Sequence, residues 1–175
     1  MEGNANKLAV IDLDGTLFFT DKCIMKACNK VLGKKLTREE VRKFPREIKS
    51  LIYDLACTDF AGYAKANQTM IKKINSMKNA GYKIIILTGR NTRVETNTIA
   101  LLKKNAVYFD EIYHNPDNSI HDEEFKVEKL SEISDNYKSV EVYEDKADNI
   151  EYIRGKLPPN KFIFYSVQKG EISKV

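Results

Sequence analysis

Continuous runs of apolar residues recur along the chain, and each run stops at polar or turn-forming residues. Such runs cover residues 8–11, 84–87 within a strand predicted over 83–87, and 162–165; further strands are predicted at 140–143, which contains Glu141, and near 111–114. Because the first two runs show no alternation of polar and apolar positions, they predict strands that are buried on both faces, as in a parallel sheet.

The segments between these runs carry apolar residues at the helical spacing of three and four. Helices are predicted from Thr20 or Asp21 to Gly33, from the capping box at 37–40 to Pro45, over 46–56, from about 60 to 80, from the capping box at 92–95 to about 104, over 123–137 and over 147–156. No strand is predicted in the helical stretch after the first strand. The alternation of strand and helix in the second half predicts an α/β fold, with a parallel sheet, helices on both faces and a helical insertion after the first strand.

Two acidic residues, Asp12 and Asp14, directly follow the first predicted strand and precede Gly15. Open α/β sheets bind their ligands at the carboxyl ends of the strands, and residues two apart on an extended chain share a side. Two carboxylates so close repel each other unless a cation lies between them or one keeps its proton. The pair therefore predicts phosphoryl chemistry on a metal ion, with a solvated turn as the alternative interpretation.

Polar residues also follow the other predicted strands or begin a helix. Thr88 ends the second strand and Lys126, with Lys129 as its alternative, lies near a predicted helix start. Glu144 and Asp145 end the strand before the last. Each alone has an ordinary explanation, because threonines satisfy turns, lysines are usually solvated and acids are favoured at helix N-termini. Their joint placement is far more specific than any one of them.

The composition indicates an ordinary globular protein of one domain, with room for a small inserted subdomain. The net charge of +4 is not concentrated in any block, so it permits an anionic substrate without requiring nucleic acid. The cysteines lack paired spacing, which is typical of a reduced, intracellular protein. Because residues 1–7 lack the apolar core of a signal peptide and no apolar stretch reaches the length of a membrane span, we expect a cytoplasmic protein.

The order of these features resembles the phosphatases of the haloacid dehalogenase (HAD) superfamily over nearly the whole chain. Those proteins carry an Asp-x-Asp-Gly-Thr strand end, a Ser or Thr that ends the next core strand, a downstream Lys and an acidic pair. The resemblance implies a Rossmann-like core formed by residues 1–17 and 68–175, with a small helical cap formed by residues 18–67. Such a cap closes over the site and excludes water. An elaborated crossover without a lid function is the alternative.

The resemblance also implies roles for four side chains. Asp12 would be the nucleophile that attacks phosphorus, and Asp14 would protonate the leaving oxygen and later activate water. The crowded acidic site is expected to raise the pKa of Asp14 so that it can donate a proton. Thr88 would hydrogen-bond the phosphoryl oxygens, while Lys126 would neutralise them and hold Asp12 in place.

Mg²⁺ is the cofactor that the resemblance implies. Its ligands would come from Asp12 and from the acidic pair, in which Asp145 is preferred to Glu144. The backbone carbonyl of Asp14 and water molecules would complete the set. The site is therefore expected to be made mostly of carboxylates, which suits a hard cation.

Neighbouring residues are expected to support the site. Gly89 and Arg90 follow Thr88 directly, and Arg90 is the best candidate for a further contact with the phosphate or the rest of the substrate. Asp148 and Asn149 lie one helical turn beyond the acidic pair and are candidates for holding the metal ligands in place.

Together these features predict a Mg²⁺-dependent phosphomonoester hydrolase that works through an aspartyl-phosphate and acts on a small phosphorylated metabolite, such as a nucleotide or sugar phosphate. A polynucleotide-end phosphatase is the alternative, because the segments 87–90, 109–116, 125–126 and 143–146 resemble the superfamily's polynucleotide-repair branch. An arginine often follows the acidic pair in that branch, and Lys146 stands there in this chain. A phosphomutase and a binding module without turnover are further alternatives. The sequence leaves the oligomeric state open.

Overall fold

Strands and helices alternate through the described part of the chain, which comprises residues 7–116 and 120–175 of a computed structural model. The strands are β1 (Lys7–Ile11), β2 (Phe18–Phe19), β3 (Lys65–Ala66), β4 (Lys83–Asn91), β5 (Glu111–Asn115), β6 (Ser139–Glu144), β7 (Phe162–Gln168) and β8 (Glu171–Lys174). The α-helices are α1 (Asp21–Leu32), α2 (Arg38–Arg42), α3 (Arg46–Cys57), α4 (Gln68–Asn79), α5 (Glu95–Lys104), α6 (Asp122–Ser134) and α7 (Ala147–Lys156). Within these described ranges, no helix is both long enough and apolar enough to cross a membrane.

A six-stranded sheet forms the centre of the molecule, in the strand order β5-β4-β1-β6-β7-β8. The strands from β5 to β7 in this order are parallel, while β8 pairs antiparallel with β7. The sequence pattern does not predict β8, since its residues are largely exposed. Because β1 lies between β4 and β6, the residues that follow β1 emerge near the middle of the sheet edge.

Apolar side chains of β1 pack on both faces of the sheet. Ala9 and Ile11 lie in a core cluster with residues of α4 and α5, whereas Leu8 and Val10 lie in a second cluster with residues of α6 and α7. Successive residues of a strand point to opposite faces, so a strand covered on both sides requires an uninterrupted apolar run. The predicted α/β architecture with helices on both faces is confirmed.

Helices α1, α2 and α3 contribute to a third apolar cluster, which is separate from the two on the sheet. α1 ends at Gly33, whose φ of 66° lies in the left-handed region that favours glycine. α2 begins with the predicted capping box, in which Thr37 and Glu40 exchange hydrogen bonds. The inserted segment therefore packs around a small core of its own.

A two-stranded ribbon links this segment to the rest of the chain. Phe18 pairs with Ala66 and Phe19 pairs with Lys65, in antiparallel orientation. The helical stretch predicted over residues 20–56 contains no strand, as expected, and the two strands of the ribbon lie on either side of it. The sequence does not predict the ribbon, because strands of two residues are too short to leave a recognisable pattern of apolar positions.

The helix predicted from about residue 60 to 80 is shorter in the structure, where α4 covers only Gln68–Asn79. Asn67 caps this helix, because its side chain accepts a hydrogen bond from the backbone N–H of Met70 at 3.3 Å. The same side chain donates to the backbone carbonyl of Thr16 at 2.9 Å. The cap thereby ties α4 to the turn that follows β1.

β4 continues beyond its apolar run to Asn91, and its pairing with β5 shifts register between Thr88 and Asn91. The side chain of Asn91 accepts a hydrogen bond from the backbone N–H of Arg93 at 2.9 Å and begins a 3₁₀ turn. The capping box predicted at Thr92 and Glu95 therefore does not start the helix, and α5 begins at Glu95.

Candidate active site

The carboxyl ends of β1, β4 and β6 meet at one edge of the sheet, because these strands are parallel neighbours. Asp12 follows β1, Thr88 lies near the end of β4, and Glu144 ends β6. Lys126 reaches the same place from α6. A cavity of about 510 Å³ opens beside these residues. The structure thus gathers side chains that lie far apart in the sequence.

Lys126 is the buried cation at the centre of this group. Its Nζ lies 2.7 Å from Asp12 Oδ1 and 2.7 Å from Glu144 Oε2, with Asp122 Oδ2 at 3.3 Å. Burial alone would lower the pKa of Lys126, but the surrounding carboxylates raise it well above its usual range. The ammonium group therefore stays charged and fixes the position of Asp12.

Lys129, the alternative lysine, has different partners. Its Nζ lies 2.5 Å from Glu132 Oε2 and 4.8 Å from the centre of the Tyr113 ring. The side chain of Glu132 is 64% exposed, so this pair lies at the surface. Of the two lysines, Lys126 is the one that reaches the strand ends.

Both carboxylate oxygens of Glu144 accept hydrogen bonds from the protein. Oε1 accepts from the backbone N–H groups of Asp145 at 3.2 Å and Lys146 at 3.1 Å. Oε2 accepts from Lys126 at 2.7 Å and from Asn149 Nδ2 at 3.3 Å. Burial would raise the pKa of Glu144, yet the net shift is downward, chiefly because of Lys126. Glu144 is thus an ionised anchor for the lysine.

Asp122, at the start of α6, belongs to the same network, and the sequence analysis missed it. Its Oδ2 accepts from Lys146 Nζ at 2.9 Å and from Asn149 Nδ2 at 3.1 Å. Its carboxylate lies so close to Gly89 that a Cβ at that position would overlap it. The sequence feature that could have identified Asp122 is its position four residues before Lys126 on the same helix, a spacing that allows an ion pair. Of the two supporting residues expected in α7, Asn149 takes part in this network.

Three acids could hold a metal ion. Asp12, Glu144 and Asp145 each offer an oxygen, and these atoms all lie within 4.8 Å of one another. Asp12 Oδ2 and Asp145 Oδ1 are buried without a hydrogen-bond partner among the described residues. A buried carboxylate oxygen is normally satisfied, so two unsatisfied oxygens in one cluster fit a divalent cation such as Mg²⁺.

The turn after β1 makes room for Asp145. Gly15 has a φ of 100°, and a Cβ on this residue would overlap the Asp145 carboxylate. A glycine is therefore required here by both backbone conformation and close approach. The position of the Asp145 carboxylate therefore depends on the glycine that follows Asp14.

Protons compete with a cation at this cluster. Burial and the neighbouring Glu144 carboxylate raise the pKa of Asp12 to about 7, against the opposing effect of Lys126. Burial and the carboxylates of Asp12 and Glu144 raise the pKa of Asp145 to about 8. A bound cation would reverse both shifts, because it stabilises the ionised forms.

Asp14 is bound by Arg90 through two parallel hydrogen bonds. Arg90 Nε lies 2.7 Å from Asp14 Oδ2, and Nη2 lies 2.9 Å from Oδ1. Arg90 also donates from Nη1 to Thr98 Oγ1 at 3.2 Å. Arg90 lines the cavity, as expected of a substrate contact, but its guanidinium already has these protein partners.

The expectation of a raised pKa at Asp14 is wrong. Burial would raise this pKa, but the Arg90 guanidinium outweighs burial and holds it well below the usual range. The Asp14 carboxylate is also not among the acids that could hold a metal ion. Its backbone carbonyl, the other predicted ligand atom, accepts from Arg38 Nη1 at 3.4 Å.

Thr88 is buried and lines the cavity. Its Oγ1 accepts a hydrogen bond from the backbone N–H of Arg90 at 3.2 Å. Because a hydroxyl both accepts and donates, the hydrogen of Thr88 remains able to bind an acceptor in the cavity. This arrangement agrees with the predicted contact to a phosphoryl oxygen.

The inserted segment forms the opposite wall of the cavity. Basic residues of α2 and α3 line it, namely Arg38, Arg42, Arg46 and Lys49. Arg38 also donates from Nη2 to Thr20 Oγ1 at 2.6 Å, which connects α2 to the segment before α1. The periodicity of these helices places the basic residues on a polar face, but it does not say that this face lies opposite Asp12.

Solved structures share the fold. A chain in the structure of the Pnkp1/Rnl/Hen1 complex aligns with a TM-score of 0.63 at 21% identity, over 96% of this chain and 48% of that chain. A predicted phosphatase from Clostridium acetobutylicum gives 0.64 at 18% identity, over 93% and 84%. A HAD-superfamily hydrolase of subfamily IA from Geobacter sulfurreducens gives 0.58 at 13% identity, over 98% and 91%. This chain thus spans about half the length of the matched chain in the Pnkp1/Rnl/Hen1 complex.

A search of curated proteins finds no significant match. The sequence does match a family model. The model described as Protein of unknown function (DUF2608) matches residues 1–145, which is most of the chain. The structural likenesses confirm the resemblance at the level of the fold. The chain therefore has the fold of the HAD superfamily and belongs to the DUF2608 family of proteins of unknown function.

Proposed function

We propose that this protein is a Mg²⁺-dependent phosphomonoester hydrolase that works through an aspartyl-phosphate on Asp12. The observation that carries the proposal is the state of the Asp12 carboxylate. Lys126 binds its Oδ1 at 2.7 Å, while Oδ2 is buried without a hydrogen-bond partner in the described part of the chain. A nucleophilic carboxylate must be held in place and must keep an oxygen available, and Asp12 meets both conditions at the carboxyl end of β1.

The reaction proceeds in two displacements. A carboxylate oxygen of Asp12 attacks phosphorus, and the bond from phosphorus to the leaving oxygen breaks, which gives an aspartyl-phosphate and an oxyanion that takes up a proton from solvent to become the alcohol. Water then attacks the phosphorus, and inorganic phosphate leaves as the Asp12 carboxylate is restored. Lys126 orients Asp12, and the hydroxyl of Thr88 donates to a phosphoryl oxygen. A divalent cation held by Asp12 and Asp145 would neutralise the negative charge of the phosphate and of the attacking carboxylate.

Asp14 is suited to the second displacement. Its ion pair with Arg90 keeps the carboxylate ionised, so Asp14 can accept the proton that the attacking water loses. The same pair opposes protonation of the leaving oxygen in the first displacement. Esters with weakly basic leaving oxygens, such as aryl phosphates, depart without that proton and are expected to react faster than alkyl phosphates.

A small phosphorylated metabolite, such as a nucleotide or sugar phosphate, is the proposed substrate. The cavity of about 510 Å³ lies within the usual range of small-ligand pockets. Residues of α2 and α3 cover one side of it, so we assign residues 18–67 the role of a cap on a core of residues 1–17 and 68–175. A cap of this kind excludes water from the site during the first displacement.

A polynucleotide-end phosphatase is the second candidate. It is favoured by the structural likeness to a chain of the Pnkp1/Rnl/Hen1 complex, which covers 96% of this chain. One departure separates this chain from that candidate's pattern, since Lys146 follows the acidic pair where an arginine often stands in the polynucleotide-repair branch. The small-metabolite proposal therefore stands first.

Release of inorganic phosphate tests the proposed function. We expect the purified protein to hydrolyse p-nitrophenyl phosphate in Mg²⁺ and to stop in EDTA, and Asp12→Asn to lose at least about a thousandfold in kcat. Asp135→Asn, which removes an acid that is 85% exposed at the end of α6, is the matched control and should retain wild-type rates. An Asp12→Asn protein with wild-type turnover would show that another group is the nucleophile.

The same assay separates the remaining alternatives. A phosphomutase would transfer the phosphoryl group to a sugar phosphate faster than it releases inorganic phosphate. A binding module would bind phosphate esters without releasing phosphate from any of them. Net hydrolysis across a panel of esters is the outcome that the proposal requires.

A further inference from the structure

A row of basic side chains runs along the cap wall of the cavity. Arg38 and Arg42 are separated by one turn of α2, and Arg46 and Lys49 by one turn of α3, so each pair shares a helix face. All of them line the cavity that also contains Asp12. The cavity therefore has an acidic floor at the strand ends and a basic wall on the cap.

The cations near the floor are already paired. Arg90 binds Asp14, Lys146 binds Asp122, and Lys126 binds Asp12. Each of these carboxylate partners lies on the core side of the site. These cations therefore neutralise acids of the core and are not available for a second anionic group of a ligand.

On the cap wall, Arg42 and Lys49 differ from these cations. Neither has a carboxylate partner within 4.0 Å in the described residues. The acid that lines the cavity on this side, Asp54, pairs with Arg93 at 2.9 Å instead. Arg42 lies in the last turn of α2, where the helix dipole also favours a cation, but Lys49 lies within α3 and has no such explanation. Two positively charged side chains thus line the cavity without a carboxylate partner in the described part of the chain.

We propose that Arg42 and Lys49 bind a second anionic group of the substrate, so that the substrate class is phosphate esters with another phosphate group on the leaving group. This inference rests on the proposed function, since the first anion is the phosphoryl group that Asp12 attacks. Unpaired cations in a cleft concentrate anionic ligands and orient them. The second anion has two sources, a second phosphate of a small molecule or a phosphodiester of an oligonucleotide.

Matched pairs of esters test the subsite. The pairs are glucose 6-phosphate with glucose 1,6-bisphosphate, and adenosine 5′-phosphate with adenosine 3′,5′-bisphosphate; a short 3′-phosphorylated oligonucleotide forms a third arm. For the wild-type protein we expect kcat/KM to be at least about tenfold higher for one or more doubly anionic compounds, as for a hydrogen-bonded charge contact. If the oligonucleotide alone is preferred and the preference falls steeply with salt, the second anion is a phosphodiester.

Charge removal assigns the preference to the two side chains. In Arg42→Gln with Lys49→Gln, the ratio of kcat/KM between doubly and singly anionic esters should fall by about tenfold or more. Each single substitution should give part of that loss. The matched control is Lys34→Gln with Lys43→Gln, which removes the same charge from exposed positions of the cap outside the cavity and should leave the ratio unchanged.

The subsite and the proposed function fail in different ways. A ratio that is the same in the wild-type and doubly substituted proteins overturns the subsite, even if every ester is hydrolysed. If the wild-type protein releases no phosphate from any ester, the proposed function fails. The subsite is then tested by calorimetry, as the ratio of the dissociation constants of the singly and doubly anionic compounds. Equal binding of both members of each pair would overturn the subsite in that case as well.

Discussion

Lys126 is a buried cation with three carboxylate neighbours. Its ammonium lies within 3.3 Å of oxygens from Asp12, Asp122 and Glu144. A buried cation of this kind neutralises the carboxylates around it, and its removal leaves them uncompensated in a medium of low dielectric constant. The Nζ atom of Lys126 therefore stabilises the fold, and we propose that the same atom orients Asp12 for the reaction.

Replacement of this lysine should affect stability and turnover together. For Lys126→Met we expect the free energy of unfolding to fall by about 3–5 kcal/mol, because buried carboxylates lose their partner. Urea denaturation measures this change, and phosphate release measures the loss of activity. Lys129→Met is the control, because Lys129 lies on the same helix but its ion pair is at the surface. The free energy of unfolding should fall by less than about 1 kcal/mol in this variant. Equal stability of the two variants would contradict the assignment of Lys126.

Asp14 and Arg90 offer a test by pH. Arg90 holds the pKa of Asp14 below its usual range, and without the guanidinium the effect of burial would remain and raise it. In Arg90→Gln, Asp14 should therefore stay protonated to higher pH and lose its capacity to accept a proton from water. The acidic limb of the profile of kcat against pH should move to higher pH. Arg93→Gln, whose arginine pairs with Asp54, is the control and should leave this limb in place. An acidic limb that does not move in Arg90→Gln would contradict the proposed role of Asp14.

The acidic cluster links pH to metal binding. With pKa values of about 7 for Asp12 and about 8 for Asp145, the metal-free folded protein binds more protons than the unfolded chain, whose carboxyls titrate near about pH 4. From about pH 4 to about pH 8 these two groups therefore make the folded state less stable as the pH rises. A divalent cation replaces the protons, so its stabilising effect should grow over the same window.

Thermal unfolding measures this linkage. The rise in Tm on adding Mg²⁺ to protein in EDTA should be larger at about pH 8.5 than at about pH 6. Asp145→Asn should remove most of the rise at the higher pH, because it removes one of the two oxygens without a hydrogen-bond partner. A rise of the same size at both pH values would mean that the cation binds elsewhere.

At the scale of elements, the turn after β1 decides where the acids that we propose as metal ligands meet. Gly15 adopts a φ of 100°, and its missing side chain leaves the space that the Asp145 carboxylate occupies. The turn is further held by Asn67, which joins α4 to the carbonyl of Thr16. The geometry of the acidic cluster thus depends on backbone that carries no charge.

Gly15→Ala isolates this contribution. The new Cβ would displace Asp145 and strain the backbone, so we expect the affinity for Mg²⁺ to fall by about tenfold or more, together with turnover. Gly62→Ala is the control, because no atom lies within 4 Å of a Cβ at that position. Titration calorimetry measures the affinity directly. An unchanged affinity in Gly15→Ala would separate Asp145 from the metal site.

At the scale of the whole molecule, the two ends of the cavity come from different parts of the chain. The parallel sheet provides Asp12, which we propose as the nucleophile, and α6 provides its lysine, while the insertion provides the basic wall of the cavity. Parallel strands place their carboxyl ends together whatever lies between them in sequence. The insertion can therefore vary the substrate without disturbing Asp12.

Sequence patterns predict the sheet and its strand-end residues because a buried strand must be apolar until it ends. The same reasoning points to Asp12 and Thr88, whereas Lys126 is preferred to Lys129 only through the family resemblance, because it lies on a helix. It cannot find the ribbon of β2 and β3, whose strands are too short, or the pairing of Asp14 with Arg90, which depends on how distant segments fold together. Helical periodicity identifies a polar face on α2 and α3, but only the fold shows what that face opposes.

Chemical trapping of the phosphorylated residue tests the central claim most directly. An acyl phosphate is reduced by borohydride, so protein quenched during turnover of p-nitrophenyl phosphate and then reduced should carry homoserine at position 12 in its peptide mass spectrum. Asp12→Asn protein should show no such product. Phosphate release without any modification at position 12, or with a modified residue elsewhere, would contradict the account.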